Sequence, residues 1–582
     1  MATEKLLEEF PPVSTEAWEG AISRDLKGAD YAQKLIWKTE EGLAVKPYYR
    51  AEDIAGLAHL SPASGDLSGM RGARTSAEWR IREEIEEGEP EEANRAARQA
   101  VAAGAEQIAF SGIGVKDASG LALLLADLRE IPVHFVETDE PLLRLLIERL
   151  GKQPTAAAIS TGFDPLANLD FAAEIVRAAP AALIPFTVHG EAFEESGATA
   201  VEEVGFTLAA AIDFLAEMQS RNVEIDHASA AIEFSFAMGA NFFFQTAKLR
   251  AFRILWTQVV ENFGGAHPGS QARIHARTSR WNKTVYEPHV NTLRATTEAM
   301  SAALGGADSI TVAPFDACYK TPDEASRRLA RNTQVLLKQE AMLARVADPG
   351  AGSYYLEVLT DFIALEGWKL MQQIETAGGY RQARKDGLIQ RTLERSLADK
   401  ESAVASRRRV FTGTNNYATP SEKALDRIEL SRVSTPRRAT LPFEQLRLRT
   451  ERHAATAGRT PRVLLAEFGD VKMRSARSSF AASLFACAGF NIVTQQLDGA
   501  DEMAACDADL IVLCSSDGDY TALATNLLPR LQARGRATAV LVAGNPDGAD
   551  QLQAIGVADF VHLRSNPLEF LTKWQLRLGI KD

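Results

Sequence analysis

Short apolar runs, each separated from the next by a helix-spaced segment, constrain this chain more than any other feature. Glu106-Gln-Ile-Ala-Phe-Ser-Gly-Ile113, Pro132-Val-His-Phe-Val-Glu137, Ala181-Ala-Leu-Ile-Pro-Phe-Thr-Val188 and Ser309-Ile-Thr-Val-Ala313 read as buried strands. Between them lie segments such as Glu92-Ala-Asn-Arg-Ala-Ala-Arg-Gln-Ala-Val-Ala102, with helical propensity and spacing. Strands joined by helical crossovers run parallel, and a parallel sheet is covered on both faces. Spread over residues 46–405, the α/β repeat fits a (β/α)8 TIM barrel, whose functional face is the set of loops after the strands.

The same grammar resumes later. Strands are expected at 462–467, Asn491–Gln495, Leu510–Cys514, Ala537–Val542 and Asp559–Leu563, with helical segments between them. Five such units predict a doubly wound, flavodoxin-like domain over 461–582, with its ligand site at the carboxyl ends of the strands. Residues 406–460 differ: Arg407-Arg-Arg409, Thr412-Gly-Thr-Asn-Asn416, Pro420, Pro436-Arg-Arg438 and Pro442 read as a linker lying on an acidic surface. Residues 1–45 lack a self-contained pattern. Pro11-Pro12 breaks any early helix, and Trp18, Leu26, Leu35 and Trp37 are spaced anchors, expected in an arm that packs on its own domain or wraps a partner.

Charge and cysteine usage narrow the function. A net charge of −13 argues against nucleic acid and membrane surfaces, and no aromatic residues interleave the Arg clusters. The four cysteines, Cys318, Cys487, Cys506 and Cys514, have no metal-ligand spacing, so a reducing, cytoplasmic compartment and no metal are expected. The acidic N-terminus lacks a signal-peptide pattern, and no apolar run reaches the ~18 residues of a membrane helix. No G-x-x-x-x-G-K-S/T loop is present, which argues against a nucleotide-driven loading protein.

A series of landmarks in fixed order then carries a resemblance: Gly239-Ala-Asn-Phe-Phe243, Ala247-Lys-Leu-Arg250, Arg277-Thr-Ser-Arg-Trp281, Ala330-Arg-Asn-Thr-Gln334, Asp348-Pro-Gly-Ala-Gly-Ser353 and Glu375-Thr-Ala-Gly-Gly379. The chain resembles the adenosylcobalamin-dependent acyl-CoA mutases, of the methylmalonyl-CoA mutase family, from Trp37-Lys-Thr-Glu-Glu-Gly-Leu-Ala-Val-Lys-Pro-Tyr-Tyr49 to its C-terminus. The resemblance implies a barrel, a linker and a cobalamin-type domain. It also implies radical interconversion of methylmalonyl-CoA and succinyl-CoA, with the protein positioning and shielding the radical.

The residues that do this in the family are missing here. Its cobalamin loop, D-x-H-x-x-G, falls on Asp470, Lys472 and Ser475. A protonated lysine has no lone pair for cobalt, and forcing it neutral by about three pH units costs roughly 4 kcal/mol. Asp470 is then expected as a helix-capping acid and Lys472 as a surface charge. The family's S-x-L falls on Ser515 and Asp517, and its Gly-Gly pair on Ala543-Gly544. In the barrel, the Y-H pair falls on Glu191 and Ala192, a substrate-facing tyrosine on Glu84, and a substrate-contacting arginine and serine on Ala231 and Glu233. Acids at these places are expected as unpaired charges that repel an anionic substrate. His189 offers a substitute base, against which stands a structural role at a strand end.

Two readings follow. In the first, the chain resembles the small (beta) subunit of heterodimeric family members: it has no catalytic or cofactor-binding residues of its own and stabilises a methylmalonyl-CoA mutase large (alpha) subunit that holds the adenosylcobalamin. In the second, it is an active mutase with an altered cofactor and substrate site.

Overall fold

The computed structural model describes residues 13–60, 77–155, 157–266, 271–433, 437–535 and 537–581. Pro11-Pro12 and Pro436 lie outside the described residues.

Nine parallel strand segments form the first large sheet. In pairing order they are Leu183–Ile184, Ile159–Thr161, Val133–Phe135, Gln107–Phe110, Arg80–Ile85, Ser309–Thr311, Ile274–Thr278, Ile232–Met238 and Phe186–His189. The first and last are neighbours in sequence, split only at Pro185, which lacks a ladder N–H. Leu183 pairs with Ile159 on one side, and Phe186 with Ile232 on the other. Counted as one strand, the two halves close an eight-stranded barrel.

The strands expected near 106–113, 132–137, 181–188 and 309–313 are present in shortened form, and the expected helix lies within Pro90–Ala102. Four barrel strands carried no such expectation: Arg80–Ile85, Ile159–Thr161, Ile232–Met238 and Ile274–Thr278. Two of them place charged residues, Arg82 and Glu233, at buried positions and so interrupt the apolar run. Helices Ala200–Ser220, Phe242–Asn262 and Tyr354–Thr376 pack together over the barrel core. Gly205 and Gly367 permit their closest approach: a Cβ on Gly205 would lie 3.1 Å from the Gly367 carbonyl oxygen.

The second sheet has five parallel strands ordered Asn491–Gln496, Arg462–Glu467, Leu510–Cys514, Ala539–Ala543 and Asp559–Val561. This is a 2-1-3-4-5 order, as the flavodoxin-like expectation requires. Residues 406–460 are not a loose tether. They contain helix Leu441–Ala457, with Arg438 and Arg447 fully buried rather than lying on a surface. Among the described residues, no helix is long and apolar enough to cross a membrane.

Candidate functional site

Alternate residues of a barrel strand face the axis. Arg82, His134, Glu233 and His275 are all buried there. Arg82 Nη2 donates to both Glu233 carboxylate oxygens at 2.9 Å. His134 Nδ1 lies 3.7 Å from Glu233 and 2.8 Å from Ser160 Oγ, and His275 Nδ1 lies 2.8 Å from Ser309 Oγ. Burial first, and then the charge of Arg82, push both imidazoles well below the usual histidine range, so both are neutral. The barrel interior thus carries one ion pair and two neutral rings, and Arg82 also lines the cavity at its mouth. No motif marks Arg82, His134 or His275; only His134, a polar residue inside the apolar run Val133–Phe135, carries a sequence signal of an inward position.

At the carboxyl ends of the strands, Arg277 Nη2 lies 3.4 Å from Glu84 Oε2. His189 bridges two strand ends: Nδ1 is 2.9 Å from Glu191 Oε1, and Nε2 donates to the Gly162 carbonyl oxygen at 2.9 Å. Burial alone would depress this imidazole, but the hydrogen bond and charge of Glu191 outweigh it and push it up to about 9. Burial would likewise raise Glu191, and the same bond and charge hold it below the usual carboxylate range. At neutral pH His189 is an imidazolium with both nitrogens engaged, so it has no lone pair for base catalysis.

The expectation of unpaired acids is thus corrected. Glu84, Glu191 and Glu233 each have a cation, respectively Arg277, His189 and Arg82. A buried acid recruits a partner because an uncompensated charge there costs several kcal/mol. The five positions do not form one cluster. Ala231 is buried just ahead of strand Ile232–Met238, at the opposite end of the barrel from Glu84 and Glu191. Ala192 is exposed on helix Glu191–Glu195 and offers only a methyl group. A cavity of about 340 Å³ opens at the mouth, and Glu84, Arg277, Arg280, Thr311 and Arg432 contribute to its wall.

In the C-terminal domain, Asp470 Oδ1 accepts from Met473 N at 2.9 Å and caps helix Val471–Ala486. Lys472 and Ser475 are exposed in the first turns of that helix. Ser515 is buried, donates to Asp519 Oδ2 at 2.7 Å, and has its Oγ 3.1 Å from the Phe468 carbonyl oxygen. Asp517 accepts from Arg477 Nη2 at 2.9 Å, and Arg477 Nη1 donates to the Ala543 carbonyl oxygen at 2.9 Å. Arg477 packs against Gly544, which has φ +142°, and its Nη1 lies 1.9 Å from where a Cβ would stand. Tyr520 Oη closes the same crevice, 2.7 Å from the Ser515 carbonyl oxygen and 2.6 Å from that of Ala543, and donates its one proton to one of them.

These residues do not fit cobalamin. Lys472 supplies no lone pair, the segment that would approach cobalt is a capped helix, and the crevice at the strand ends is filled by Arg477 and Tyr520. Among the described residues, no cluster of three or more His, Cys, Asp or Glu side chains is placed to hold a metal ion.

A sequence profile described as methylmalonyl-CoA mutase matches residues 169–465. The chain is 36% identical to the methylmalonyl-CoA mutase small subunit of Porphyromonas gingivalis, over 99% of both chains. It is 31% identical to the small subunit of Streptomyces virginiae, over 99% of this chain and 98% of that one. A probable small subunit of Mycobacterium tuberculosis is 34% identical over 74% of this chain and 70% of its own length.

Proposed function

Since the chain belongs to the methylmalonyl-CoA mutase family, we propose that it is the non-catalytic small subunit of a heterodimeric mutase. It stabilises a large (alpha) subunit, which carries the adenosylcobalamin and isomerises methylmalonyl-CoA and succinyl-CoA. The observation that carries this reading is the buried ion pair across the barrel interior. Arg82 and Glu233 meet inside the barrel, where the resemblance places a substrate contact. A substrate entering there would have to strip a buried carboxylate of its cation, at about 3–5 kcal/mol.

The N-terminal region supports the partner. Helix Thr15–Asp25 buries none of its residues, although it carries Trp18. Trp18 and Trp37 are 48% and 49% exposed, and Phe243 is 46% exposed. Exposed aromatic side chains of this kind suit a face that another chain covers.

The test is to assay the purified chain and to co-express it with a large subunit. The expected result is no isomerisation of methylmalonyl-CoA by the chain alone, and co-purification of the two subunits. Turnover by the isolated chain would overturn the reading. The altered-mutase reading has one observation in its favour, the cavity at the barrel mouth. It requires a visible-absorbance change when the isolated chain is titrated with adenosylcobalamin.

A further inference from the structure

A second concavity, of about 460 Å³, lies beside the barrel mouth. It is bounded by the end of strand Phe186–His189, helix Glu191–Glu195, and helices Tyr380–Lys385 and Leu388–Ala405. It differs in character from the ion-paired mouth. Leu166, Val188, Phe193, Ile389 and Leu393 give it apolar walls. The polar groups include His189, Tyr380 and Arg384, with Ser196, Gln390 and Asp164 at exposed positions. A size within roughly 300–1,000 Å³, apolar walls and a few convergent polar groups are the features of small-ligand sites.

Two of the polar groups, His189 and Tyr380, are held in place by the fold, and Arg384 is exposed at the rim. His189 is fixed by Glu191 and the Gly162 carbonyl. Tyr380 is buried and packs edge-on against Phe193 with ring centroids 6.2 Å apart. Among the described residues, no carboxylate is ion-paired with Arg384, whereas Arg277, Arg331 and Arg432 at the mouth each have one. A guanidinium with donors to spare, over an apolar trough, recognises a carboxylate that carries a hydrocarbon body.

We propose that this groove binds a short-chain aliphatic monocarboxylate, with its carboxylate at Arg384 and Tyr380 and its chain along Phe193, Ile389 and Leu393. Asp164 sets the charge rule: its negative edge disfavours a second carboxylate on the ligand.

Hexanoate, titrated into the full-length chain and followed by calorimetry and by saturation-transfer NMR, tests this. Saturable one-site binding is expected. Arg384→Gln should weaken it roughly tenfold, the loss of a charge-assisted hydrogen bond. Ala192→Phe, which adds bulk at an exposed wall position, should abolish it, with far-ultraviolet circular dichroism unchanged. Asp164→Asn should tighten it. No saturable binding to the unaltered chain, or equal binding by all the variants, would overturn the proposal. Weaker binding by Asp164→Asn would also overturn it, because the groove would then be recognising a cation.

Discussion

A single ion pair decides the character of the barrel interior. Arg82 and Glu233 come from strands that are far apart in sequence and are both almost fully buried, so each charge is tolerated because the other meets it. Glu233→Ala is expected to destabilise the chain by about 3–5 kcal/mol, because it leaves a buried guanidinium without its acid. Arg82→Met with Glu233→Met should recover most of that loss, and urea midpoints of the three proteins measure both effects. Protonation adds a second signature. His134 and His275 lie well below their unfolded value, so their contribution is present above a pH of about 6.5 and is lost as pH falls below it. His189 is raised to about 9, so its contribution is complete below the unfolded value of about 6.5 and is lost as pH rises through about 9. Urea midpoints should therefore decline on both sides, and His189→Gln should flatten the alkaline decline alone. An unchanged alkaline limb in that variant would contradict the role given to the Glu191–His189 pair.

At the scale of elements, helix Val471–Ala486 explains why a single substitution will not restore a cobalt site. Lys472 sits in the first turn of a helix already capped by Asp470, and Arg477, one and a half turns further on, occupies the crevice beside Gly544. Lys472→His is expected to leave adenosylcobalamin unbound in a visible-absorbance titration; a shifted spectrum in that variant would refute the argument from the filled crevice. Asp470 as a cap was legible in the sequence because Asp before a helical run has one common local use. Strands such as Leu510–Cys514 were legible because buried parallel strands are continuous apolar runs. Arg80–Ile85 was not: a strand written Arg-Ile-Arg-Glu-Glu-Ile shows period and propensity of neither kind, and it is stable only because Glu233, Arg277 and Arg331 meet its charges from other elements. The pairing of the acids was hidden for the same reason, since each partner lies 150 or more residues away except His189. The run 181–188 reads as one strand; its split at Pro185 and the closure of the barrel around that split are not local properties.

The whole molecule is joined by residues 406–460. Arg447 stacks on Tyr286, with its guanidinium carbon 3.8 Å from the ring centroid, and Nη2 donates to the carbonyl oxygens of Thr419 and Glu422 at 2.7 and 3.0 Å. Arg438 and Glu444 form a fully buried pair at 2.7 Å, and Glu444 also accepts from Val285 N. On the other side of helix Leu441–Ala457, Gln575 Nε2 donates to the Leu446 carbonyl oxygen at 2.6 Å and to Thr450 Oγ1 at 2.9 Å. One helix thus bonds the barrel's 281–286 segment and the C-terminal helix Pro567–Arg577 at once. Trp281 joins the same apolar cluster as Phe443, Phe485 and Trp574. Contacts on both sides of one helix couple the two domains, which should therefore unfold together. Calorimetry is expected to show one transition. Arg447→Ala removes a cation–π contact and two charged hydrogen bonds, together worth about 3–5 kcal/mol, and should split that transition in two. Two transitions in the unaltered chain would mean that the helix at 441–457 tethers the domains without coupling them.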